Sequence, residues 1–244
     1  MLFGTDYDKI EFQMIGLNLV EPNAFIGDYI LGFLAIYLAI KINRLNSPLL
    51  FFKNWKLFFV TLGTGFFLGG IGHSMFLYFG IYGKYSGWLL SIISVSYLEA
   101  AIFSIHPNSE KGKLLLVVSK IKMFVAVSLE IGVFVFVNLT NDPQLGLWVP
   151  LINSGIGFIF CFGYISHKYQ KSITNSFRNL KIVLALLVPA AIIQYLKISI
   201  FPWLDRNDIG HFLLAITFFM YWKAIKGYHS YLVKDLNFKK HHIN

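Results

Sequence analysis

Apolar runs bounded by charge or by Gly, Pro and Asn recur seven times along the chain, at about 23–40, 57–80, 87–105, 123–140, 148–166, 181–201 and 209–227. Each is near the ~20 residues that a helix needs to cross bilayer hydrocarbon with its backbone hydrogen bonds satisfied internally. The pattern predicts an all-α polytopic membrane protein, a bundle of seven transmembrane helices over residues 23–227. An extracytoplasmic segment, 1–22, would precede it and a basic cytoplasmic tail, 228–244, would follow. The fourth run is the least continuous. Lys120 and Lys122 cut the short stretch Leu114 to Val118 away from it, which places that stretch at the membrane interface. Pro189 inside the sixth run predicts a kink.

Charge orients the set. All but Lys9, Lys84, Lys197 and Arg206 of the 21 Lys and Arg residues fall on one side of the predicted bundle. Short cytoplasmic loops collect Lys and Arg, so the N-terminus is expected outside and the C-terminus in the cytoplasm, most simply of a plasma (inner) membrane. Asp6, Asp8, Glu11, Glu21, Asp142, Asp205 and Asp208 fall on the opposite, outer side. The five tryptophans, Trp55, Trp88, Trp148, Trp203 and Trp222, lie near span ends, as residues of an interfacial belt do.

Composition removes several alternatives. Of 244 residues, 56% are hydrophobic and 14% charged, which leaves no stretch for a soluble catalytic domain. The single cysteine, Cys161, excludes an intramolecular disulfide framework. The net charge of +9 is explained by the cytoplasmic loops, so membrane lipids rather than nucleic acid are the expected partners. Residues 1–22 lack a basic stretch ahead of an apolar one, which predicts no cleaved signal peptide. The end Lys239-Lys240-His241-His242 reads as a solvated positive tail, with metal binding there a minor alternative. Oligomeric state is not readable from these features.

Ionisable residues inside spans are expensive and mark candidate sites. They are Asp28 in the first span, His73 in the second, Glu99 in the third, Glu130 in the fourth and His211 in the seventh. At 1.5 Å of rise per residue, Asp28, His73 and His211 share a depth in the outer leaflet. Ser91, Ser94, Asn153 and Gln194 are expected to join them around an outward polar cavity, with Glu130 near mid-membrane and Glu99 deeper. Read structurally instead, His73 has Asp28 as its expected hydrogen-bond partner, and His211 beside Asp208 is an ordinary interfacial residue. The glycines of the second span, Gly63 to Gly72, allow close helix approach and press His73 inward.

Several of these residues form a pattern. An acid early in the first span, Gly72-His73-Ser74 in the second and Asp208-Ile209-Gly210-His211 opening the seventh resemble the CREST superfamily of alkaline ceramidases, progestin and adipoQ receptors and Per1-type proteins. That resemblance implies a zinc amidase acting on lipids, with His73 and His211 as metal ligands. The third ligand position is Ala215, so an oxygen of Asp28 or Asp208 would complete the set and serve the catalytic proton transfer.

Three functions follow. One is a zinc-dependent hydrolase of a lipid amide or ester bond, with zinc on His73 and His211 activating water and Asp28 or Asp208 moving the proton. The second is a non-enzymatic lipid-binding or receptor-like bundle. The third, a transporter relaying protons through Asp28, Glu130 and Glu99, is disfavoured because the sequence shows no inverted repeat.

Overall fold

The computed structural model describes residues 7–242, with side chains as far as Asp235. Asp6 and the side chains of the Lys239 to His242 tail therefore lie outside the described residues. A hairpin of β1 (Glu11–Met14) and β2 (Leu17–Val20) comes first, closed by Ile15 and Gly16 at positive φ. Helices follow: α1 (Pro22–Asn43), α2 (Leu50–Ser74), the short α3 (Phe76–Phe79), α4 (Tyr82–Phe103) and α5 (Ser109–Phe136). Then come α6 (Leu145–Phe158), a π-helical stretch (Ile159–Ile165), α7 (Ser166–Ser172), α8 (Arg178–Tyr195) and α9 (Arg206–His242).

The protein is all-α apart from the hairpin. Among the described residues, five helical segments are long and apolar enough to cross a membrane: α1, α2, α4, the composite Leu145–Ser172, and Asn175–Tyr195. The other two long helices carry more polar positions. In α5 the stretch 119–136 contains Lys120, Lys122 and Glu130, and α9 opens with Arg206, Asp208 and His211. Aliphatic and aromatic side chains such as Phe33, Phe124, Phe136, Ile159 and Phe212 stand exposed around the bundle, an exterior suited to lipid rather than water.

Several expectations are corrected here. The second apolar run does not form one helix to residue 80; α2 ends at Ser74, and a tight turn through Met75 starts α3. Leu114 to Val118 is not a detached interfacial piece, because α5 runs through it without a break. Trp55 belongs to no interfacial belt. It is fully buried among Phe58, Phe59 and Tyr221, in an aromatic core that also holds Phe51, Phe162 and Phe177. Aromatic rings bury large area and favour edge contacts, so this cluster fixes the half of the bundle opposite the hairpin.

The hairpin half is fixed differently. There α2 lies against α1 and α4 through residues without side chains. A Cβ on Gly72 would strike the Gly83 carbonyl oxygen of α4, backbone that cannot swing aside. Gly72→Ala is therefore expected to destabilise the protein by about 1–3 kcal/mol through overpacking. Gly155→Ala, where an added Cβ meets nothing within 4 Å, should be neutral or mildly stabilising. Thermal unfolding in detergent checks the pair, and equal effects would contradict the close α2–α4 crossing.

Candidate functional site

Where the first turn of α1, the last turn of α2 and the first turns of α4 and α9 meet, charged side chains converge. Glu21 precedes α1 in a left-handed conformation, φ 55°, which is strained for a residue with a side chain. Its carboxylate accepts from His73 Nδ1 at 2.8 Å and from Lys9 Nζ at 3.1 Å. Asp28, about two helical turns further along, pairs through Oδ1 with His211 Nε2 at 3.1 Å. His211 is seated by an absent side chain, because its ring fills the place where a Cβ on Gly27 would stand. The expected His73–Asp28 bond is thus replaced: His73 bonds Glu21, and Asp28 is taken by His211 of α9.

Asp208 is engaged elsewhere. Its Oδ2 accepts the Asp205 backbone N–H at 3.0 Å, while Asp205 Oδ1 accepts from the N–H groups of Asn207 and Asp208. This reciprocal cap satisfies the orphan donors at the start of α9, and it occupies Asp208 in holding the helix end. The adjoining turn is tied to α1 by the Asn23 side-chain amide, which donates to the Trp203 carbonyl at 2.7 Å.

Two cavities lie at this junction. The outer one, about 380 Å³, is a vestibule whose lining includes Lys9, Glu21, Asp142, Gln194, Asp205 and Asp208. The inner one, about 160 Å³, lies between α1, α2 and α4 and is lined by Asp28, Leu62, Gly65, Phe66, Gly69, His73, Lys84, Gly87, Trp88 and Ser91. His73, Lys84 and Trp88 line both. The two spaces therefore adjoin at these three side chains.

Of the polar residues expected around one outward cavity, Ser91 lines the inner space and donates its own hydroxyl to the Trp88 carbonyl. Gln194 lines the vestibule. Ser94, Glu130 and Asn153 line neither of these cavities, which corrects the single-layer expectation. Ser94 bonds back to the Ser91 carbonyl, as helical serines do when they have no other partner. Glu130 is buried, and neither of its carboxylate oxygens has a hydrogen-bond partner among the described residues. Asn153 belongs to a second cluster, between α4, α5 and α6.

That second cluster centres on Glu99. Its Oε1 pairs with Lys122 Nζ at 2.5 Å, its Oε2 accepts from Ser119, and Lys122 also donates to the Asn153 carbonyl at 3.0 Å. A buried carboxylate that keeps its own ammonium and hydroxyl is an ion pair satisfied on both sides. Sequence reasoning assigned Lys122 to a cytoplasmic loop and missed the pair. The signal was present in the small residues Gly112, Ser119 and Ala126, which recur every seven positions and mark the buried stripe of α5. Lys122 lies between two of them, on the same stripe as Glu130.

The donor set does not fit a zinc site. Each of the two histidines is held by its own carboxylate, and among the described residues no three His, Cys, Asp or Glu side chains converge to hold a metal ion.

A helical bundle with an outward vestibule and a satisfied ion pair deeper inside is the class of protein that these features define. The chain belongs to the family described as a family of unknown function, DUF6962, whose model matches residues 24–230. The match takes in His73, Lys84, Asp28, His211 and the Glu99–Lys122 pair, and begins just after Glu21. No curated protein and no solved structure matches the chain.

Burial alone would raise the Glu21 carboxyl pKa. The hydrogen bond and charge of His73, and the charges of Lys84 and Lys9, outweigh burial and hold it well below the usual carboxylate range. A carboxyl whose folded pKa is depressed contributes stability that is fully present above its unfolded value, about 4.3, and is lost as pH falls through the folded value. Wild type should therefore lose stability progressively below about pH 4.3, and Glu21→Gln should be less stable at neutral pH with a flatter acid limb. Thermal melts from pH 7 down to pH 3 read the difference; parallel acid limbs in the two proteins would contradict the assignment.

Proposed function

We propose that the chain is a seven-helix membrane protein, N-terminus outside and C-terminus in the cytoplasm, whose outward cavities bind a small amphipathic, lipid-like molecule. The observation that carries this reading is the junction of a charged vestibule with a narrower, mainly carbon-lined space through His73, Lys84 and Trp88. A ligand with a polar head and an apolar end matches that succession of surfaces. The volume of the vestibule falls in the range of small-molecule sites, about 300–1,000 Å³. Support for seven spans comes from the seven long helical segments and from the gathering of Lys and Arg at one end of them. A plasma (inner) membrane is the simplest location for a chain with this bias.

Binding in place of zinc hydrolysis is favoured by how the histidines are held. With His73 carrying Glu21 and His211 carrying Asp28, both are spent on joining elements across the bundle. A relay of protons through Asp28, Glu130 and Glu99 is disfavoured because Glu99 already holds a cation of its own.

In native mass spectrometry from mild detergent, wild type is expected to retain an amphipathic adduct at about one per chain. Ser91→Met, which extends into the inner space, should lose it while keeping its melting temperature. Absence of any saturable adduct from wild type, or full retention in Ser91→Met, would count against the reading. Orientation is checked separately in a Cys161→Ser background. Asp142→Cys should react with an impermeant maleimide in intact cells, and Ser172→Cys only after permeabilisation.

A further inference from the structure

From the amphiphile-binding reading above, on which this step rests, we infer that the ligand is anionic and that Lys84 receives its charge. Three titratable side chains line the inner cavity, and the structure treats them unequally. Asp28 has His211 at 3.1 Å, and His73 has Glu21 at 2.8 Å. Lys84 has no carboxylate within ion-pair distance among the described residues. The acid charges that act on it, Glu21 and more weakly Asp28, are each already paired, Glu21 with His73 and Lys9 and Asp28 with His211.

Lys84 is also placed where a head group would arrive. It lies at the boundary of both cavities and is partly buried, and its ammonium is 5.7 Å from the Phe76 ring centroid. A partly buried ammonium without a counter-charge is unfavourable until an anion joins it, and the joining is then favoured by the low dielectric that makes the isolated state costly. One neighbour and the helix end reinforce the sign. Lys9 lines the same vestibule. Lys84 itself sits in the first turn of α4, where the helix dipole is positive.

Five acids line the vestibule beside Lys9 and Lys84. Asp205 and Asp208 accept backbone N–H groups at the start of α9, Asp142 accepts the Gln144 N–H, and Glu21 faces two cations. That leaves Asp8 as the acid set against an incoming anion at the outer part of the vestibule, on a lining that the inner cavity of Lys84 does not share. The inner cavity sets the size of the other end of the ligand. About 160 Å³ is close to the ~150 Å³ apolar cavity that accommodates benzene, so an apolar group of about six carbons fits it. The chemical class is thus a carboxylate or phosphate monoester on a short apolar group, whether free or as the head and proximal carbons of an anionic lipid.

The test uses the full chain in nanodiscs of neutral phosphatidylcholine, with hexanoate, hexanol and hexylamine as probes and thermal stabilisation as readout. Hexanoate is expected to stabilise saturably and at least about tenfold more tightly than hexanol, with hexylamine weaker still. Lys84→Met should remove the preference for hexanoate, Lys84→Arg should keep it, and Lys113→Met, on an exposed face, should leave it unchanged. Equal affinity for hexanoate and hexanol in wild type, or a preference intact in Lys84→Met, overturns the role of Lys84 and leaves the amphiphile pocket standing. Failure of all three probes overturns the pocket as well. The wild-type comparison decides the matter even where Lys84→Met does not fold. Adding phosphatidylglycerol distinguishes the source, since competition with hexanoate points to a lipid head group and its lack to a soluble anion; either result supports the anion site.

Discussion

Backbone contact between α2 and its neighbours is the constraint on which the outer half of the molecule depends. Because Gly72 meets the carbonyl of Gly83 with nothing between them, the ends of α2 and α4 cross as closely as helices can. That crossing carries His73 and Lys84, each within one turn of the contact, to the lining of one small space. The same logic operates across α1, where Gly27 leaves room for the His211 ring and so lets α9 deliver an imidazole to Asp28. A side chain at either glycine would separate the helices and, with them, the charges. The cavities are therefore a product of missing side chains rather than of any large residue holding the helices apart.

Low dielectric then dictates how the charges are arranged. A charge withdrawn from water is tolerated when a partner meets it, and the molecule meets this demand twice in different ways. In the inner cluster, Glu99 takes both Lys122 and Ser119, and Lys122 spends a further donor on a carbonyl, so the group is closed to newcomers. In the outer cluster the pairs link separate elements: Glu21 and Lys9 come from the N-terminal segment, His73 from α2, Asp28 from α1 and His211 from α9. The first arrangement holds α4, α5 and α6 together. The second encloses space that opens outward.

Most of the helices were legible in the sequence, since length and apolarity suffice to show them, and that Asp28 and His211 stand level with each other followed from counting rise per residue. Partner choice was not legible. Glu21 appeared to be one more outer acid; only its left-handed backbone, following the hairpin, turns its carboxylate onto His73. Lys122 was misplaced because a lysine in an apolar run looks like an interruption, whereas on the buried stripe of α5 it is a counter-ion. The hairpin itself is too short and too irregular in polarity to signal a strand pair. Trp55 looked interfacial from its place near a helix end, but the third dimension puts the Phe162 and Tyr221 side of the bundle over it.

Among the described residues Glu130, like Lys84, is an ionisable group that these rules leave without a counter-ion. It is buried on the same stripe of α5 as Lys122, two turns away at 1.5 Å per residue, and therefore too far to share that ammonium. An isolated buried carboxylate is far more costly charged than neutral, and the neutral acid retains an O–H donor. Among the described residues Glu99 is met by Lys122 and Ser119 while Glu130 has no such contact, so the two acids of this inner region are held in different ways, and neither lines the cavities where α1, α2, α4 and α9 meet.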